Sequence, residues 1–163
     1  MYKVGEYVIY KRDLCIINNI IERNKKKYYK LSPIEDKSLT INVPVENKLN
    51  YLRYPISKKE AEKLIEKIPL IKEINTNEKL IENEYKRLMK TNKHEDLIKI
   101  IKTTYLRNKE RQQNGKKTTD KDADYFQKAE YYLYNELSVS LNMTYEECKN
   151  FIIETLTQKS GTK

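Results

Sequence analysis

Tryptophan is absent from this 163-residue chain, and histidine occurs once, cysteine twice, glycine three times and proline four times. Each shortage excludes something. A lone histidine cannot make a nucleophilic triad or a metal site without partners, and neither composition nor spacing supplies them. His94 sits in a polar break between helical stretches, so it is expected to be a solvated loop residue. Gly5, Gly115 and Gly161 are isolated and cannot form a glycine-rich phosphate cradle. Cys15 and Cys148 lie far apart without CxxC spacing, and are expected to be reduced thiols used as small apolar residues. No apolar run approaches the roughly 20 residues that span a bilayer. The opening MYKVGEYVIYKRD lacks the basic–apolar–small plan of a secretory signal. A cytoplasmic, non-enzymatic protein with no cofactor, metal or membrane partner is expected.

The charge balance is more informative. The net charge is +9, and it is unevenly placed. Residues 1–56 carry 11 basic and 6 acidic side chains, residues 57–121 carry 18 and 11, and residues 122–163 carry 4 and 7. An excess of cations over the first two-thirds favours polyanions through counterion release, although solubility alone also accounts for it. Fourteen of the sixteen aromatics are tyrosine, which suits thin cores that keep a hydroxyl near water.

Hydrophobic period divides the chain. EYVIYK, LCIINNIIE, KKYYKLS and SLTINVPV are short runs rich in β-branched and tyrosine residues, and predict four or five strands within residues 1–55. In the last run Leu39, Ile41 and Val43 fall on one face and Thr40 and Asn42 on the other. Pro44 then ends that strand or marks an edge. After Pro55 the period becomes helical, opened by a capping box, Ser57 with Glu60. Apolar stripes predict a second helix from about 76 to 91 carrying Leu80, Ile81, Tyr85 and Leu88, and a third carrying Leu97, Ile98 and Ile101. A fourth helix is capped by Thr119, and a fifth opens with the box Thr144–Glu147. Acidic pairs such as Asp122 and Asp124 fall in first helical turns, where they complement the helix dipole. The expected fold is α+β: a small barrel over 1–55, a helical domain of about five helices over 57–158 and a frayed tail over 159–163.

Two basic features have binding readings and plain ones. ERNKKKYYK between two strands is either a hairpin with a basic recognition tip or a solvated turn whose lysines guard an edge. The central helices carry Lys79, Lys86, Arg87, Lys90, Lys93, Lys99, Lys102, Arg107, Lys109 and Arg111. These either track phosphates or form an ordinary charged outer face.

The order and wording of the segments resemble the CarD/CdnL family of bacterial RNA polymerase-binding regulators. YKVGEYVIY is similar to the family's opening strand. KKYYKLSPIEDKSLTINVPVENKLNYLRYPIS is similar to its continuation, with a Tyr-Tyr strand, a strand ending in Val-Pro and a Leu/Val-Arg pair. IENEYKRLMKTNKHEDLIKIIKTTYLRNKER resembles its helix–break–helix, and DADYFQKAEYYLYNELSVSLNMTYEECKNFI its closing helix pair. The resemblance implies a Tudor/SH3-like barrel, shared with transcription-repair coupling factors, that docks on the polymerase β subunit. It also implies a helical domain that lies on promoter DNA and stabilises the open complex.

Carried over, the polymerase-facing positions fall at Arg23, with Lys25 beside it, and at Asn42. Arg53 matches the Leu/Val-Arg position. The DNA-facing set is expected instead from the basic helices: Lys79, Lys86, Arg87, Lys90 and Lys93, acting through phosphates without reading sequence, in a protein expected to be monomeric. Two departures stand out. YKRDLCII lacks the family's turn glycines, so that turn must differ. Many members also place a tryptophan wedge at the start of the second helix, which here falls near Asn77 or Glu78; neither can stack, and a carboxylate repels phosphates. The family motif's basic residues beside the wedge are replaced here by Leu80, Ile81 and Glu82. Two alternatives therefore remain open. One is a polymerase-binding protein that has lost the wedge and acts through protein contacts alone; the other is an unrelated basic RNA-binding domain that stacks bases on its tyrosines.

Overall fold

Alternation and β-branching carry through into strands. The computed structural model describes residues 1–46 and 49–157. Five strands, β1 (Tyr7–Tyr10), β2 (Asp13–Arg23), β3 (Lys26–Pro33), β4 (Ile41–Pro44) and β5 (Leu52–Arg53), form one antiparallel sheet in the order β4-β3-β2-β1-β5. Helices follow, so the architecture is the expected α+β with strands first. The chain divides into two compact units, Met1–Ile56 and the residues from Ser57 onward.

The sheet is wrapped rather than flat. Neighbouring strands lie about 4.8 Å apart, so β3 and β5 would stand about 14 Å apart in a flat sheet. Tyr2 nevertheless meets both. Its backbone N–H donates to the Tyr29 hydroxyl on β3 at 3.1 Å, and its own hydroxyl donates to the Leu52 carbonyl on β5 at 3.1 Å. Its ring packs edge-on against Tyr29 and Tyr54. Val8, Cys15, Ile17, Tyr29, Val43 and Leu52 share one buried core, to which every strand contributes. A bulge between Ile17 and Asn19 bends β2.

Both tight hairpins turn without glycine. Lys11 and Arg12 (φ 48° and 76°) join β1 to β2, and Asn24 and Lys25 (φ 50° and 66°) join β2 to β3. Two successive left-handed residues match the twist of the flanking strands. The turn in YKRDLCII thus differs as its missing glycines require. Leu39 is a correction: it is exposed and outside any strand, and β4 begins only at Ile41. Val43 is buried and Asn42 exposed, so the predicted alternation holds within the strand. Pro44 ends β4 on the edge of the sheet, where no N–H is needed.

The helical unit contains α1 (Lys58–Lys67), a 3-10 turn (Ile68–Leu70), α2 (Ile81–Met89), α3 (His94–Gln113), α4 (Asp120–Leu141) and α5 (Tyr145–Leu156). Both predicted capping boxes form, and Thr119 caps α4. α2 is shorter than the expected 76–91. Asn77 takes the Leu80 N–H through both its side chain and its carbonyl, a local turn that competes with the helix. α3 instead runs further, into QQNG, until Gly115 (φ 69°) allows the Lys116 N–H to reach back to the Arg111 carbonyl. Ile98, Ile101, Tyr85, Leu133, Leu137 and Ile152 lie in its buried interior. The expected tail over 159–163 lies outside the described residues.

Candidate functional site

In the strand unit the cations gather at one end. Register places Arg23 directly opposite Lys26 and Glu22 opposite Lys27, closing the turn Asn24–Lys25. Glu22, Arg23, Lys25, Lys26 and Lys27 are all exposed. Like charges facing across a strand pair destabilise it, and an edge guard needs no such pair. Asn42 is exposed on β4, opposite Lys30 in the register with β3. The hairpin residues and Asn42 therefore belong to neighbouring strands. Arg53 stands apart: it is half-buried on β5, at the other end of the strand order, and its guanidinium donates to the Tyr54 carbonyl.

Beside the hairpin tip opens a groove of about 780 Å³. Lys25, Lys26, Lys27 and Tyr28 line it from the hairpin, and Val43, Pro44 and Val45 from the end of β4. Leu49 and Tyr51 line it as the chain returns toward β5. Both are exposed, Leu49 at 68%. Lys11 holds its ammonium 4.8 Å from the Tyr51 ring centroid and 5.3 Å from that of Tyr10. The glycine-free turn thus places a cation on an aromatic face, an interaction that spacing alone does not reveal.

In the helical unit exposed cations occur on several elements, and the expected DNA-facing ones sit on and around α2. Lys79, Lys86, Arg87, Lys90 and Lys93 are all exposed. Lys86 lies 3.9 Å from Glu82 one turn earlier, and Arg87 is held through two bonds, 2.9 and 3.2 Å, by Glu84. Lys93 is the N-terminal flanking residue of α3 and Lys90 the C-terminal one of α2. Exposed pairs of this type are worth about 0–1 kcal/mol, so they leave the cations exchangeable.

Other charged groups of this unit have partners that local spacing does not show. Arg107 and Arg111 do not form part of an open phosphate track. Arg107 donates to Asp122 at 2.8 Å and to both Glu78 oxygens at 2.7 and 3.0 Å, while Arg111 donates to Glu78 at 3.0 Å. Glu78 is consequently not a bare carboxylate; its hydrogen bonds from Arg107 hold it below the usual carboxylate range. Asp122, 1% exposed, is more than a dipole partner, since it also accepts from the Tyr85 hydroxyl at 2.9 Å. Burial pushes the Tyr85 phenol up, and the Asp122 bond adds to that. Burial works against the Arg107 cation, but its bonds to Asp122 and Glu78 outweigh burial and raise it. The Glu78–Arg107–Asp122–Tyr85 chain ties the approach to α2, α2 itself, α3 and α4.

His94 is likewise not a solvated loop residue. It opens α3, is 18% exposed, and its Nε2 lies 2.9 Å from Oε1 of Glu136, a carboxylate 3% exposed on α4. Lys102 is buried with its ammonium donating to the carbonyls of Ile68 (3.1 Å), Pro69 (3.4 Å) and Ile71 (2.7 Å) in and just after the 3-10 turn. Such partners come from the tertiary fold and leave no mark in local spacing. Burial pushes the Cys15 thiol up to about 12 and the Cys148 thiol up to about 11, so both act as the small apolar residues expected. Among the described residues no cluster of His, Cys, Asp and Glu could hold a metal ion, and no helix is long and apolar enough to cross a membrane.

No protein-family model matches this sequence, and no curated protein matches it.

Proposed function

We propose that this chain is a non-enzymatic regulator of transcription initiation whose strand unit grips the RNA polymerase β subunit and whose helical unit holds promoter duplex by its phosphates. The observation that carries the reading is the hairpin end of the strand unit. Of the positions implied by the CarD/CdnL resemblance, Arg23 and Lys25 are exposed there at the end of β2 and in the turn, and Asn42 is exposed on β4 opposite Lys30. The Arg23–Lys26 pair opposes two cations, an arrangement relieved when an acidic surface docks against it. The open side of β4 adds unpaired backbone donors and acceptors. On α2, Lys86 and Arg87 can exchange exposed glutamate partners for phosphates, and Lys79 and Lys90 extend the same basic segment.

A second reading is supported by Glu78. Two arginines hold a carboxylate where relatives carry their wedge, which favours a regulator that touches polymerase without inserting into DNA. Pull-down of the full chain by the isolated β lobe tests the shared premise: binding is expected, and Arg23→Glu with Lys25→Glu should weaken it about tenfold. No binding by the unaltered chain removes both versions. Open-complex lifetime with Lys86→Glu, Arg87→Glu and Lys90→Glu then separates them. A shortened lifetime is expected; an unchanged one leaves the protein-only version.

A further inference from the structure

We infer that the groove at the hairpin end of the strand unit is a docking site for an extended acidic peptide segment with apolar side chains at alternate positions. The inference rests on the groove itself and holds whether or not the chain binds polymerase. Its floor is the apolar run Val43–Val45, in which Val43 and Val45 pack into the strand unit's core and Pro44 is exposed, and the exposed Leu49 also lines the groove. One wall is the run Lys25–Lys27. Successive side chains of an extended strand point to opposite sides, so such a segment puts one set on the apolar floor and the other toward the lysines.

Charge complementarity fixes the sign of the occupant. Two glutamates also line the groove, against the three lysines Lys25, Lys26 and Lys27. Glu22 stands opposite Lys27 in the strand register, and Glu46 is engaged with a partner of its own. Lys25 and Lys26 make no ion pair among the described residues, and Lys26 additionally faces Arg23. Lys11 adds a further cation over Tyr51. The local excess is positive and self-repelling, which an acidic segment relieves.

A protein segment fits better than a single-stranded nucleic acid. Stacking successive bases needs several free aromatic faces, and of the two rings in the lining Tyr51 already carries the Lys11 ammonium while Tyr28 is half-buried. The floor residues offer no side-chain groups to base edges.

The test is fluorescence anisotropy of the full chain with a short labelled peptide alternating glutamate and leucine. Its control carries lysine in place of glutamate. Saturable binding is expected for the glutamate peptide alone, weakening as salt rises. Lys25→Glu with Lys26→Glu should weaken it about tenfold. Leu49→Ser, at a 68% exposed position where folding is not at stake, should weaken it several-fold without changing the salt response. Absence of saturable binding, equal binding of the lysine peptide, or indifference to both sets of substitutions overturns the inference. So does an oligouridine probe that binds this groove and is lost with the same lysines. The β-lobe pull-down is run beside it. Peptide binding without lobe binding ends the polymerase reading and leaves the groove, and lobe binding without peptide binding does the reverse.

Discussion

The two units hold their positive charge in opposite ways. In the strand unit the cations are outside: Arg23, Lys25, Lys26 and Lys27 crowd one exposed hairpin over a core of apolar side chains and tyrosines. In the helical unit some of the cations are structural. Lys102 nests on three carbonyls, and Arg107 and Arg111 clamp Glu78. A segment's net charge therefore overstates what a polyanion meets. Of the basic side chains between 57 and 121, those on α2 are exposed and exchangeable, while Arg107 and Lys102 are committed to holding helices together.

The sharpest way to break this contrast is Asp122→Ala. It leaves the Arg107 guanidinium and the Tyr85 hydroxyl without their buried acceptor, and Glu78 answers only one of the two. Removing one partner of a buried charged pair costs about 3 kcal/mol. Urea denaturation of the full chain should show that loss in the helical transition, with the strand unit's transition unmoved. A loss below about 1 kcal/mol would mean that the network is a surface decoration, and that Arg107 is as available as Lys86.

Sequence pattern reaches what is local and stops at what is tertiary. Both capping boxes, the Thr119 cap, the edge role of Pro44 and the buried thiols follow from neighbours a few residues apart, so they were readable. Leu39 was misread because alternation continues past the point where the backbone leaves the sheet. The start of α2 was misread because the Asn77 side chain competes with the helix. His94–Glu136 spans 42 residues and Tyr85–Asp122 spans 37, and no periodicity encodes such pairs. The hairpin was legible as a basic turn, but the Arg23–Lys26 opposition depends on register, which only the closed sheet fixes. The groove is further from sequence still, because it joins β4 to a loop through the wrapping of the sheet.

A smaller effect comes from Glu130 on α4, 5% exposed, with Oε2 lacking a hydrogen-bond partner among the described residues. Burial pushes its carboxyl up from 4.5, while Lys149 and Tyr134 pull it down less strongly and Glu146 pushes it up. The folded state then holds a proton that the unfolded chain releases. Stability is highest below about pH 4.5 for this group, and falls as pH rises through the interval up to its raised folded value. Glu130→Gln should abolish that component and stabilise the helical unit at neutral pH, by about 1 kcal/mol or less. Paired urea curves at acid and neutral pH measure it. A gain of equal size at both pH values would assign the effect to packing instead of ionisation.

Smallest in stability, but most direct for the comparison, is Arg87→Ala. Its two bonds to Glu84 lie on an exposed helix face, so the fold should change by about 0.5 kcal/mol or less. If Arg87 exchanges Glu84 for a phosphate, the same substitution lowers the salt slope of duplex binding by about 1 while leaving sequence preference flat. Arg107→Ala should reverse the pattern, lowering stability with no change in slope when binding is measured well below the unfolding transition. Fluorescence titrations of the two variants against one duplex over a salt series decide between the roles. Equal slopes for both would mean that exposure on α2 does not select the cations that bind, and the division between exchangeable and committed charge would fail.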